Sequence, residues 1–277
     1  MRALLVVAAL LVATPSVAGV HPAARELMQH MSKGARAAKP GDWVTYRFEG
    51  GGRRSYYWRM AVVGEEKDRT GRDAVWVELE AGTHPAMKSP LMQMRMLVAR
   101  EGDEIRYDAI SRLYIGGPFD RPQEYTQEAL EHVLKQQREA QQRTQQERAA
   151  TASKAKLPGG GKPVIRSGKE VRLMTLAGTV TAVPVEVVYK STVIKRMWIS
   201  REIPLMHLAK TEIPGIAHSM EVAEHGIDAK PRMVLPPPDA PKVRLEYADA
   251  VFPDLGDEGA APGASPATSP EPSEVRP

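Results

Sequence analysis

Apolar and polar positions alternate along the chain from residue 42 onward, first in WVTYRF and again in SYYWRMAVVG. Residues two apart on an extended strand point to the same face, so each run predicts a strand with one apolar face. The Gly-rich connection EGGGRR between the runs predicts a hairpin. The apolar positions that share one face are Val44, Tyr46, Phe48, Tyr56, Trp58 and Met60.

Three further runs, AVWVELEAG, LMQMRMLV and EIRYDAISRLYIGG, follow with short polar turns between them. In the second of these, Met92, Met94 and Met96 occupy alternate positions and therefore share a face. Five strands joined by short turns predict an antiparallel meander. Glu78 and Glu80 alternate with apolar residues in the first run, and this pattern predicts carboxylates at a solvent-facing strand edge.

The alternation stops at Gln123, and residues 123–157 form an insertion rich in Gln, Glu, Arg and Ala. These helix-forming residues predict a helix near 124–140. Its single apolar patch is Leu130, Val133 and Leu134. A helix that is polar elsewhere buries little surface, so we expect weak docking and a second half that is solvated, frayed or bound to a partner. The sequence LPGGGKP predicts a flexible loop that closes the insertion.

Strand patterns return at 171–175, 179–189 and 193–199, and HSMEVAEHG predicts one more short strand. Pro184 interrupts the long run and favours an edge strand or a bulge there. PRMVLPPPDAP predicts a proline-rich exit from the domain. Residues 253–277 are Gly, Ala, Pro, Ser and acids with almost no large apolar side chain, which is typical of a disordered tail.

The first residues have the layout of a secretory signal peptide: Arg2, an apolar run over 3–13, and the small residues Ser16-Val17-Ala18. We predict cleavage after Ala18, because the apolar run is shorter than the about 20 residues that span a bilayer. A short amphipathic helix is predicted near 22–33. Residues 19–252 then form a single domain in the periplasm or outside the cell, not an integral membrane protein.

The amino-acid composition excludes several kinds of bond, catalysis and metal binding. The chain of 277 residues contains no Cys, which excludes disulfides, thiolate catalysis, Cys-ligated metals and an acylated N-terminal Cys. Its formal net charge is +4. Acids outnumber bases in the last 29 residues, so the body is more basic than the whole chain and suits anionic head groups or an acidic partner. No interleaving of basic and aromatic residues predicts nucleic-acid binding.

No motif predicts a catalytic residue, a metal ligand or a cofactor. His207, His218 and His225 are close in sequence, but there is no HExxH, and surface-loop histidines explain them. GGGKP lacks the upstream glycine of a phosphate-binding loop and has Pro163 where Ser or Thr would hold magnesium. A GxSxG nucleophile elbow is also absent. The sequence therefore predicts a protein that is not an enzyme.

The order of these elements resembles the Lol-type periplasmic lipoprotein carriers and related half-barrel proteins of Gram-negative envelopes. The matching segments are Gly41 to Phe48, Trp198 to Ser200, and Ile203 to Leu205. The resemblance implies a mainly β fold: a strongly curved antiparallel sheet, an open half-barrel, preceded by a helix. It also implies an apolar cavity, lidded by helices, that holds acyl chains. No individual functional residue is carried over.

Two non-enzymatic functions stay open at this point, beside a hydrolase, which is kept only because sequence order hides how residues are arranged in space. The first is an exported carrier that binds a lipid, an acyl chain or an acylated protein on the concave face of its sheet. Methionine suits such an adaptable lining, although it also fills ordinary cores. The predicted lining is Val44, Tyr46, Phe48, Tyr56, Trp58, Met60, Met92, Met94 and Met96. The second is a structural or interaction module that recognises an envelope protein through the polar helix 124–154.

Overall fold

The computed structural model describes residues 37–50, 55–154, 164–215 and 218–247. The predicted signal peptide, the helix predicted for 22–33, the loop LPGGGKP and the tail after 253 lie outside the described residues.

Twelve strands and one long helix form in the described part of the chain. The helix is α1 (Gln127–Lys154). The strands are β1 (Trp43–Gly50), β2 (Tyr56–Lys67), β3 (Asp73–Gly82), β4 (Met92–Glu101), β5 (Glu104–Gly116), β6 (Gln123–Glu124), β7 (Val164–Ser167), β8 (Val171–Thr175), β9 (Gly178–Tyr189), β10 (Thr192–Ile199), β11 (Leu208–Glu212) and β12 (His218–Gly226).

All twelve strands belong to one open antiparallel sheet. Strands β1 to β5 pair in sequence order and form the predicted meander. The short β6 pairs with β5 at that edge of the sheet. On the other side β1 pairs with β12, and the order continues through β11, β10 and β9 to β7, while β8 also pairs with β9. The predicted fold class, a mainly β chain with an antiparallel sheet that does not close into a barrel, is confirmed.

The sheet curls toward the face that carries Met60. The hydroxyl of Tyr107 in β5 lies 3.6 Å from the Met60 sulfur in β2. These strands are three positions apart, a separation of about 14 Å in a flat sheet. Only a curled sheet brings the two side chains together, so the Met60 face is concave.

The concave face holds the main apolar core, and the first turns of α1 pack into it through Ala129, Leu130, Val133 and Leu134. The helix then continues without interruption to Lys154, well beyond the end predicted near residue 140. Lys135 and Glu139 are already exposed. The apolar patch that docks is the predicted one. The helix extends well beyond this patch because its residues have high helix propensity.

The convex face is covered, which corrects the prediction for Glu78 and Glu80. Their exposed fractions are only 2% and 3%. The segment 228–243, called the strap from here on, crosses this face, and the backbone N–H groups of Arg232 and Met233 donate to Glu78 at 2.9 and 3.3 Å. The Met233 side chain completes a small apolar cluster with Ala74, Trp76, Leu97 and Tyr114. The proline-rich segment is therefore part of the fold.

Pro184 lies in an interior strand, so the predicted edge or bulge is wrong. Its β10 partner is Trp198. On the other side, β9 pairs with β8 as far as Ala182 and with β7 from Val185 onward. Pro184 occupies the gap between these two partners, where its missing N–H breaks no ladder bond. Its carbonyl accepts a hydrogen bond from the Gly168 N–H at 2.8 Å.

Candidate ligand slot on the concave face

The strand register places all nine predicted lining residues on the concave face. Phe48 pairs with Tyr56, Tyr46 with Trp58, and Val44 with Met60. On β3 and β4 the same face carries Leu79 opposite Met94, Val77 opposite Met96, and Ala81 opposite Met92. Leu79 in turn pairs with Met60 across β2 and β3. Period-two patterning therefore predicts the orientation of each of these side chains.

Depth separates the nine residues into different environments. Tyr46, Phe48, Trp58 and Met60 line a slot in the concave face. Val44 and Met96 are buried in the main core, Met94 packs against that core, and Met92 is also buried. Tyr56 is 38% exposed at the rim. The structure thus brings four of the nine together around one space and uses the others for packing or leaves them outside.

The slot has a volume of about 80 Å³. Small-molecule pockets usually have volumes of about 300–1,000 Å³, so this space takes only a group of a few carbons in the conformation described. Side chains of the protein fill most of the rest of the concave face. The remaining lining residues are Arg59, Leu79, Tyr107, Leu205, Met206 and Met220.

Aromatic and thioether groups give the slot its apolar character. The rings of Phe48 and Trp58 contact each other with centroids 4.4 Å apart. Burial raises the pKa of the Tyr46 hydroxyl far above its usual range, and the nearby Leu208 backbone offsets only part of this effect. Burial raises the pKa of Tyr107 in the same way. Both hydroxyls are therefore neutral at physiological pH.

A strained loop covers the slot. The loop spans residues 200–207, and the Ser200 N–H donates to the His207 carbonyl at 2.8 Å across its base. Ile203 anchors it in the core, while Leu205 and Met206 reach the slot. Leu205 and His207 have φ angles of 67° and 51°, the left-handed region that is unfavourable for residues other than glycine. Leu205 and Met206 thus form a cover whose backbone is held under strain.

The sequence does not predict that Leu205, Met206 and Met220 line the slot. Residues 203–205 entered only as part of the family resemblance, and no period-two pattern marks a loop residue as part of a binding face. Met220 could be placed on an apolar strand face, but its contact with the slot depends on the pairing of β12 with β1. That pairing joins residues far apart in sequence, so local patterning has no signal for it.

The three histidines do not share a surface loop, although the strand predicted for HSMEVAEHG, which contains His218 and His225, does form. His207 is 6% exposed at the base of the covering loop, and His218 and His225 belong to β12. Within residues 37–50, 55–154, 164–215 and 218–247, no three His, Asp or Glu side chains are grouped so that they could hold a metal ion.

Binding by burial of apolar surface is the chemistry that this arrangement supports. The described residues that line the slot include no Ser, His, Asp or Glu that could act as a nucleophile or a general base. Arg59 borders the slot, but its guanidinium contacts the Glu80 carboxylate at 3.3 Å and lies over the Trp43 ring at 5.1 Å. Helix α1 is too polar to cross a membrane, and no other described helix has the length and hydropathy to do so.

No protein-family model matches the chain, and no curated protein matches it by sequence. Two solved structures are similar to the chain. The first is MucB in complex with MucA(peri), which is 12% identical with a TM-score of 0.35; the match covers 76% of this chain and 57% of that one. The chain thus spans little more than half the length of MucB.

The second is a protein from Bacteroides fragilis, described as exported and as having a YmcC-like fold. It is 10% identical with a TM-score of 0.29, and the match covers 69% of this chain and 99% of that one. The Lol-type relation itself stays a prediction.

Proposed function

We propose that this chain is an exported, non-enzymatic protein that binds the alkyl end of a lipid or acyl chain in the slot. The observation that carries this proposal is the slot itself. It lies on the concave face, is lined by Tyr46, Phe48, Trp58 and Met60, and is covered by two residues on a strained loop.

The free energy of burying an alkyl chain supports a binding mode in which Leu205 and Met206 move. Each methylene buried in an apolar site contributes about 0.8 kcal/mol to binding. A space of about 80 Å³ holds too few carbons for stable binding, so a longer chain has to displace Leu205 and Met206. A left-handed residue other than glycine costs about 1–3 kcal/mol, and relief of this strain offsets part of the cost of displacement.

Filling the slot tests this function. Met220→Phe adds a ring where the slot lies, whereas Met94→Phe makes the same change on the same face of the sheet outside the slot. We expect the Met220 variant to bind at least tenfold more weakly and the Met94 variant to stay within about threefold of wild type.

An ω-bromo fatty acid is the probe, because bromine quenches tryptophan fluorescence on contact and Trp58 lines the slot. Trp58→Phe should remove most of the quenching, since Trp43, Trp76 and Trp198 do not line the slot. Thermal unfolding of each variant confirms that it is folded. Equal binding by the wild type and the Met220 variant would contradict the proposal, as would an absence of quenching in the wild type.

A second candidate function, an interaction module that uses α1, rests on the exposure of the helix beyond its docked turns. About 20 residues follow Leu134, a length of about 30 Å, and the exposed side chains among them include Lys135, Glu139 and Arg143. Deleting residues 136–156 separates the two functions. Fatty-acid binding should stay within about twofold of wild type, whereas an envelope protein that copurifies with the wild type should be lost if α1 recognises it.

A further inference from the structure

Lys195 lies on the concave face of the sheet among apolar residues. It pairs with Val187 in β9, and Val187 pairs with Ile165 in β7. Val187 and Ile165 both pack against the main core. Met197, two positions along β10 on the same face, is buried in that core. The neighbours of Lys195 on this face, across the strands and along β10, are therefore apolar.

The described residues provide no ion pair or hydrogen bond for the Lys195 ammonium group. The adjacent Arg196, on the opposite face, is by contrast paired with Glu186 at 2.8 Å and with Glu212 at 3.0 Å. A partly buried cation without a counter-ion is unfavourable, because desolvation is not offset by a nearby charge. The same desolvation lowers the pKa of Lys195.

The register places Lys195 on the rim side of the slot. Met197 pairs with Thr211, and Thr211 pairs with Met220, which lines the slot. Lys195 is thus two strands away from Met220. Along the strands it lies one same-face position, or two residues, closer to the end of the sheet where β1 ends at Gly50. These offsets are about 10 Å across the strands and about 7 Å along them. A medium-length alkyl chain spans this separation.

We propose that Lys195 binds the anionic head group, a carboxylate or a phosphate, of an amphiphile whose alkyl end enters the slot. This inference rests on the proposed function and narrows its ligand class from lipids in general to anionic ones. The ligand supplies a counter-ion that the described residues do not, and the partly apolar surroundings strengthen that ion pair relative to one in water.

The ligand preference can be measured separately from binding itself. The probes are an ω-bromo fatty acid and its methyl ester, which present the same chain with and without the charge. We expect the wild type to bind the acid at least tenfold more tightly than the ester, measured by quenching of Trp58. Lys195→Gln should remove this preference and leave ester binding unchanged, while Lys195→Arg should retain most of it.

Lys210→Gln is the matched control. Lys210 lies on the neighbouring strand β11, but on the opposite face, where it contacts Glu212 and the Trp198 ring. This variant should keep the wild-type preference. If Lys195→Gln binds the acid as tightly as the wild type does, or if the wild type does not distinguish acid from ester, the head-group role is wrong while the slot function stands.

Two further outcomes identify other failures. If neither probe quenches Trp58 in the wild type, the proposed function fails and this inference fails with it. Inorganic phosphate supplies the anion without a chain. If it displaces the bromo acid at concentrations similar to those of the acid itself, the site takes a free anion and the amphiphile assignment is overturned; a large excess without effect supports it.

Discussion

Glu78 is a carboxylate on the outside of a curved sheet that is nevertheless buried. It accepts hydrogen bonds from the backbone N–H groups of Arg232 and Met233, and the Arg95 guanidinium lies 3.7 Å away. Its neighbour Glu80 contacts Arg59 at 3.3 Å and Arg232 at 3.1 Å. The two carboxylates therefore attach the strap to β3 through a buried polar network.

Removing one member of this network should be costly. Glu78→Ala leaves Arg95 and two backbone N–H groups without their carboxylate, and we expect the free energy of unfolding in urea to fall by about 3–5 kcal/mol. Glu65→Ala removes an exposed partner of Arg100 and should change stability by less than about 1 kcal/mol. Similar losses for the two variants would contradict the buried network.

The pH dependence of stability provides a second measurement on Glu78. Burial raises the pKa of Glu78 in the folded state above its unfolded value. A raised carboxyl pKa gives a stability contribution that is complete below the unfolded pKa and is lost as pH rises through the folded pKa. We expect Glu78→Gln to remove this decline from the pH profile; an unchanged profile would contradict the assignment.

Helix α1 combines two parts with different contributions to stability. Leu130 is buried in the main core, and Leu130→Ala should lower the free energy of unfolding by about 2–5 kcal/mol. Glu139 is exposed, and its ion pair with Lys135 is long at 4.0 Å. Glu139→Ala should therefore change the free energy of unfolding by no more than about 0.5 kcal/mol. A large loss from Glu139→Ala in chemical denaturation would show that the projecting part of the helix packs on the domain.

Local patterning predicts elements well where a residue's surroundings come from its sequence neighbours. The meander β1 to β5 and the shared face of Tyr46, Trp58 and Met60 follow from alternation and short turns. The predicted end of α1 near residue 140 is too early, because the apolar contacts stop at Leu134 whereas Gln, Glu, Arg and Ala sustain the helix to Lys154 without them.

At the scale of the whole molecule, the sequence has no signal for the contacts that assemble the site. Alternation orients Val44 and Tyr46 identically, yet only Tyr46 reaches the slot, because depth depends on the curl of the entire sheet. Leu205, Met220 and Lys195 gain their positions from the pairing of β12 with β1 and of β10 with β11. Glu78 looked solvent-facing for the same reason, since the strap that covers it is 154 residues away along the chain.

The strap also determines when folding can finish. Its Val243 exchanges backbone hydrogen bonds with Glu124 and Thr126, and its Arg232 contacts β3, so the first half of the domain lacks its outer cover until the last part is present. The β1–β12 pairing imposes the same delay on the centre of the sheet. Contacts between residues so distant in sequence make folding slow. A growing chain of this kind therefore cannot complete its fold before the last residues of the domain have left the ribosome.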